Sequence, residues 1–322
     1  MMDRVPQKAR FYIALTVTAA IAVFAFSIIF FGVYQVYFVP AALFNSDFSE
    51  VSPVEEEFGQ KVVNVAVLGL HNRNEDNTFG EIYFVDTILV VSINFDTNSL
   101  ALLAVPRDSY VLLAKSEVSD RIRQSYSYGF HQETADPHAA GLKAALDTLD
   151  SILDGVKIHH YLAMDLQGLR ELIDSMGGVN FTVEEDLIGF TPRESLKAGP
   201  QQLDGRGYVT YLTYREEDTR DDLNRMKRQK DLLLATFMYF KEMGLFSYVI
   251  PTYTAYREHI RTDLSFNQVA ALAFFAGERL ESDAIKDYSL TGEYFSPDEG
   301  ETYFLALDEE ANKLIIEHWA GR

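Results

Sequence analysis

From Phe11 to Val39 the chain runs 29 residues without one charged side chain, and no other feature restricts its fold as tightly. A bilayer core offers no water to backbone N–H and C=O groups, so a single run of this kind crosses it as a helix. About 20 apolar residues suffice. A cleavable signal peptide has an apolar region of roughly 7–15 residues and a small-residue cleavage site. The run is longer than that, and Ala41-Ala42 is a weak cleavage signal. Arg4, Lys8 and Arg10 precede it against Asp3 alone, which by the positive-inside rule puts the N-terminus in the cytoplasm. The expectation is a single-pass cell-membrane protein. Residues 1–10 form a cytoplasmic tail, 11–39 the transmembrane helix, 40–61 a polar acidic linker, and 62–322 an extracytoplasmic domain.

The formal net charge is -20. Nucleic-acid binders carry a basic footprint, so neither charge nor topology favours DNA or RNA. Any anion site must be a local arginine cluster acting against the global field. There is no cysteine, which excludes zinc sites with thiolate ligands.

Short apolar runs at Val62–Leu68, Thr87–Asn94, Leu100–Val105 and Tyr110–Ala114 predict strands. The turn-rich FDTNS between the second and third predicts a hairpin. Helical periodicity follows at His138–Leu153, Asp165–Met176, Leu223–Met243, Phe266–Leu280 and Glu309–Trp319, with strands at His159–Met164 and Val179–Val183. Gly177-Gly178 reads as a helix C-cap pair. Near-continuous apolar strands are covered on both faces. The pattern predicts a three-layer α/β/α architecture around a mixed sheet.

Common enzyme signatures are absent: no G-x-S-x-G, H-E-x-x-H, Walker loop or G-x-G-x-x-G occurs. His159-His160 points to opposite faces of a strand and reads as two structural histidines. The helix from Asp222 differs. At ~100° per residue, Asp222, Arg225 and Gln229 share about 60° of arc on the side of Met226, Leu233 and Phe237. Charges on an inward face are costly unless paired or bound to a ligand. An Asp222–Arg225 pair is the plain structural reading. Pro106-Arg107-Asp108 follows an apolar strand, where α/β proteins place binding residues. Asp86 precedes another such strand, and Arg215 ends a Tyr-rich segment. Guanidinium groups bind phosphate bidentately, and carboxylates near phosphate usually hold Mg²⁺. The set suits a pyrophosphate held with a metal.

The order of these pieces resembles the LytR-CpsA-Psr family. It runs VAVLGL, Asp86-Thr87-Ile88, Val105-Pro106-Arg107-Asp108, Tyr126–Gly129, Gly177-Gly178-Val179, Gln202-Leu203-Asp204-Gly205, then Asp222-x-x-Arg225-x-x-Arg228-Gln229. Thr262-Asp263-Leu264-Ser265 looks like the family's common C-terminal feature. The resemblance implies an enzyme that transfers a phosphoglycan from a polyprenyl-pyrophosphate carrier to peptidoglycan, with Mg²⁺ at the pyrophosphate and a membrane lipid slot. It implies Asp86 and Asp222 as the metal-side acids. Arg107, Arg215 and Arg225 would grip the pyrophosphate, and Gln229 would complete the site. Arg228 matches the motif but points away from Arg225 on the helical wheel. A lipid-binding scaffold and a polyprenyl-pyrophosphate phosphatase are the alternatives on the same site.

Four positions depart from the family pattern. Phe84 stands where an arginine usually precedes the Asp-Thr pair, and Thr213 where the first arginine of Arg-x-Arg is usual. The acid that often follows the first strand's glycine is replaced around His71. The asparagine before the Tyr-Gly segment is Arg123. The expectation is that Arg123, with Arg73, restores part of the lost positive charge, which requires it to lie near Arg107 and Arg225.

Overall fold

Alternating burial along the apolar runs assembles a six-stranded sheet. The structure is a computed structural model describing residues 54–72, 83–132, 134–189, 195–214, 222–242, 259–296 and 304–320. The predicted transmembrane helix, Arg73, Arg215 and the side chain of Asp222 lie outside the described residues. Among the described residues, no helix is long and apolar enough to cross a membrane.

β1 (Val62–Asn72) pairs antiparallel with β2 (Tyr83–Asn94), which pairs antiparallel with β3 (Ser99–Ala104) through the expected hairpin. On the other side, β1 runs parallel to β6 (His160–Asp165). β9 (Ile260–Thr262) and β10 (Ile285–Ser289) close the two edges, in the order β10-β3-β2-β1-β6-β9. The sheet is therefore mixed, as predicted.

Period-two alternation decides which helix covers which face. Ala66, Leu68, Leu70, Ile88 and Val90 pack with Leu142, Ala145 and Leu149 of α3 (Pro137–Ile152). The same cluster takes in Tyr126 of α2 (Ser125–Phe130) and Trp319 of α8 (Glu309–Trp319). Trp319 Nε1 donates to the Ala101 carbonyl at 3.1 Å, fixing α8 to β3. The intervening residues Val67 and Leu89 meet Met226 and Leu233 of α6 (Asp222–Glu242). Helices thus lie on both faces of the sheet.

A second cluster joins α6 to α4 (Leu166–Ser175), α5 (Gly205–Thr213) and the hairpin of β7 (Val179–Val183) with β8 (Gly199–Leu203). Gly177 and Gly178, at φ +80° and +86°, end α4 as expected. A Cβ on Gly178 would approach the Leu203 carbonyl to 2.7 Å.

The Tyr-rich segment before Arg215 is helical: Asp204 caps α5 by accepting from the Gly207 N–H, and Tyr208, Tyr211 and Leu212 recur at helical spacing on its buried face. Some expectations change. Val179–Val183 forms its own two-stranded sheet rather than joining the central one, and the strand expected at Tyr110–Ala114 is β4 (Tyr110–Leu112), paired apart from the central sheet with β5 (Ser119–Arg121). The domain also starts before residue 62. α1 (Val54–Phe58) buries Val54, packs Phe58 on Phe95, and pairs Glu55 with Arg279 of the segment after α7 (Phe266–Glu278) at 2.7 Å. Residues 52–322 form one unit.

Candidate active site

The parallel relation of β1 and β6, with β3 running the same way, brings the carboxyl ends of three strands to one edge of the sheet. Ligands in open α/β sheets bind outside such ends. A cavity of about 270 Å³ opens there, lined among others by His71, Asp86, Arg107, Arg123, Arg225 and Gln229.

Asp86 reaches it through a register shift. Gly69 pairs with Thr87 and Leu70 with Val85, leaving Asp86 as the extra residue of a β-bulge in β2. Bulges re-aim a side chain and are common beside active sites. Gly69 permits the close approach: a Cβ there would lie 2.9 Å from Thr87 Cβ. Asp86 is thus within the strand rather than before it.

Arg107 leaves β3 on a turn in which the Ser109 N–H and hydroxyl both donate to the Pro106 carbonyl. The Ile122 N–H bonds the Ser109 carbonyl, and the Arg123 N–H bonds the Arg107 carbonyl at 3.1 Å. Both arginines converge on Asp86. Arg107 Nη1 lies 3.1 Å from Oδ2, and Arg123 Nη2 lies 2.8 Å from Oδ1. The second contact is an ion pair by distance, without the angle of a hydrogen bond. His71 Nδ1 lies 3.2 Å from Oδ2. The Arg123 guanidinium also lies over the Phe84 ring, 4.6 Å from its centre. The ring that replaces the usual arginine therefore supports a guanidinium supplied from elsewhere in the chain, and the expected proximity of Arg123 to Arg107 is observed.

From the opposite face, Arg225 and Gln229 come from successive turns of α6 and are 3% and 6% exposed. Gln229 Nε2 donates to the Leu212 carbonyl at 3.0 Å, tying α6 to the end of α5. Thr213 lines the cavity but bonds back to the Val209 carbonyl of its own helix. Arg228 is buried as well. It is directed elsewhere, donating to the Tyr214 carbonyl at 3.2 Å and lining a separate hollow of about 200 Å³ with Glu184 and Tyr211.

Burial is the largest influence on the Asp86 carboxyl and acts to raise its pKa. The His71 hydrogen bond and the charges of Arg107, Arg123 and Arg225 together outweigh it, holding the group well below the usual carboxylate range. Asp86 is ionised, and it organises the arginines around it.

A divalent cation at this carboxylate fits poorly. Its Oδ1 is fully buried against Arg123, and its Oδ2 faces Arg107 and His71. Among the described residues, no group of three or more acidic or histidine side chains could hold a metal. The Mg²⁺ expected between Asp86 and Asp222 meets an Asp86 carboxylate already shared by two guanidinium groups, and the Asp222 side chain lies outside the described residues.

Fold and cavity together define a mixed α/β domain with a cationic hollow at its strand ends. The sequence model of the LytR-CpsA-Psr family matches residues 43–318, and the chain belongs to that family. It is 25% identical over 280 residues to the polyisoprenyl-teichoic acid–peptidoglycan teichoic acid transferase TagU of Oceanobacillus iheyensis, spanning 85% of this chain and 80% of that one. The TagU of Enterococcus faecalis is 26% identical over 233 residues, 71% of this chain and 70% of its own. The crystal structure of B. subtilis TagV superposes with a TM-score of 0.68 at 21% identity, covering 81% of this chain and 96% of TagV.

Sequence reasoning placed Asp86, Arg107, Arg123, Arg225 and Gln229 together. It marked His71 only as a departure, because its contact with Asp86 depends on the strand register. Phe84 was marked as a lost arginine, with no signal that its ring faces Arg123.

Proposed function

We propose that the chain is a transferase that attaches an anionic glycopolymer to the cell wall, moving a phosphoglycan from a polyprenyl-pyrophosphate carrier to a peptidoglycan hydroxyl. The single observation that carries this is the gathering of Arg107, Arg123 and Arg225 around one carboxylate in a cavity of a protein whose net charge is -20. The names of the similar transferases supply the substrate class.

In this reading the acceptor oxygen bonds to the phosphorus that carries the glycan. The bridging P–O bond breaks, polyprenyl phosphate leaves, and the hydroxyl proton is given up to water. Negative charge grows on the leaving phosphate. Guanidinium groups already fixed in place stabilise it without reorganising, which is the main source of catalysis in phosphoryl transfer. Asp86 holds two of them in position, and Gln229 keeps α6, and with it Arg225, against α5. Arg215 and Asp222 complete the proposed set. The run Phe11–Val39 anchors the chain, N-terminus inside, so that the domain from about residue 52 meets both lipid carrier and wall.

The test is transfer of labelled glycan by the full-length protein in detergent micelles, from a polyprenyl-pyrophosphate glycan to peptidoglycan. Label entering the wall polymer, with polyprenyl phosphate released, is the expected outcome. Equal release without peptidoglycan would indicate a phosphatase. Tight binding of carrier without release would indicate a scaffold.

A further inference from the structure

We infer that at Asp86 this chain meets its pyrophosphate with arginine rather than a divalent cation, the Arg123 guanidinium standing where the cation would bind. The inference rests on the pyrophosphate reading of the cavity.

Magnesium at a phosphate needs carboxylate oxygens directed at the ligand, commonly one or two, with substrate oxygens and water filling an octahedron. Asp86 offers none that is both exposed and unshared. Its Oδ1 is fully buried with Arg123 Nη2 at 2.8 Å. Its Oδ2 has Arg107 Nη1 at 3.1 Å and His71 Nδ1 at 3.2 Å. A metal at Oδ1 would have to displace Arg123, and that side chain is fixed three ways. It pairs with Asp86, stacks on Phe84, and grows from a backbone whose N–H bonds the Arg107 carbonyl. Cation–π contact strengthens as the pair is desolvated, and the Arg123 side chain is only 14% exposed.

Three of the four departures from the family pattern then form one coherent change. His71 lies where an acid is usual, and imidazole is a poor partner for magnesium, which favours oxygen. Phe84 replaces an arginine and supplies the ring. Arg123 replaces an asparagine and supplies the charge. Among the described residues lining the cavity, Arg107, Arg123 and Arg225 face the acid Asp86.

The test is calorimetric binding of farnesyl pyrophosphate to the full-length protein in detergent, in EDTA and then in Mg²⁺. Affinities in the two buffers are expected to agree within about twofold, and Arg123→Ala to weaken both at least about tenfold, as loss of one charge-assisted hydrogen bond implies. His71→Asp, which restores a carboxylate beside Asp86, is expected to make binding respond to Mg²⁺. Wild-type binding that vanishes in EDTA and returns with Mg²⁺ would overturn arginine in place of the cation at Asp86 while leaving the pyrophosphate site intact. Binding in neither buffer would overturn the pyrophosphate reading itself. A folded Arg123→Ala protein with unchanged affinity would remove Arg123 from the site.

Discussion

Arg107→Ala is expected to lower kcat/KM for glycan transfer by about two to three orders of magnitude, the usual cost of deleting one preorganised donor aimed at developing negative charge. Arg107 is 5% exposed and fixed by a turn that carries Ser109 and the Arg123 backbone. Arg123, which shares Asp86 with it, is held by that carboxylate and by the Phe84 ring rather than free to take its place. Arg107→Lys is expected to recover only part of the loss. An ammonium supplies the charge but not the planar fork that holds a phosphate and Oδ2 of Asp86 together. The measurement is the initial rate of glycan transfer at several carrier concentrations. Wild-type rates in a folded Arg107→Ala protein would remove Arg107 from the reaction.

The second large effect is on stability. Asp86→Ala strips the shared carboxylate from Arg107 and Arg123 and is expected to cost about 3–5 kcal/mol, the range for removing one partner of a buried ion pair. Equilibrium denaturation by urea reads this directly. Asp96→Ala, which breaks the exposed Lys61–Asp96 pair at 2.5 Å, is expected to leave the midpoint unchanged, since exposed pairs contribute little. The pH dependence has a definite sign. Asp86 has a folded-state pKa below its unfolded value, so its stabilisation is present in full above the ordinary carboxylate range of about 3.9. It is lost as pH falls toward the folded value. In Asp86→Asn, part of the acid-side loss of stability should disappear. An acid limb identical to wild type would mean that the carboxylate is not coupled to the arginines as described.

Much of the sheet was legible because period-two alternation and a turn-rich hairpin are local signals. β1, β2, β3 and β6 fall within a few residues of their predicted spans. The Tyr-rich helix α5 was not, because three closely spaced tyrosines and a leucine satisfy a strand pattern as well as a helical one. The Asp204 cap settles the matter in the structure. The helical wheel of α6 correctly separated Arg225 and Gln229 from Arg228. It could not show that Arg228 is itself buried, since that burial comes from the β7–β8 region and Tyr214.

The bulge at Asp86 illustrates a different limit. It follows from how two strands register across Gly69 and Thr87, and no single-strand pattern encodes that. Arg123 lay between these cases. Its sequence position raised the question, and only the meeting of the turn after β3 with the 3-10 segment Ile122–Gln124 put its guanidinium beside Arg107.

The central claim, that the strand-end cavity receives the pyrophosphate, is tested most directly by a crystal structure of the protein with a polyprenyl pyrophosphate bound. The account predicts phosphate oxygens within hydrogen-bonding distance of Arg107, Arg123 and Arg225, with Gln229 unmoved against Leu212. Density for the pyrophosphate in the hollow beside Arg228 and Glu184, with the Asp86 cluster unchanged, would contradict it.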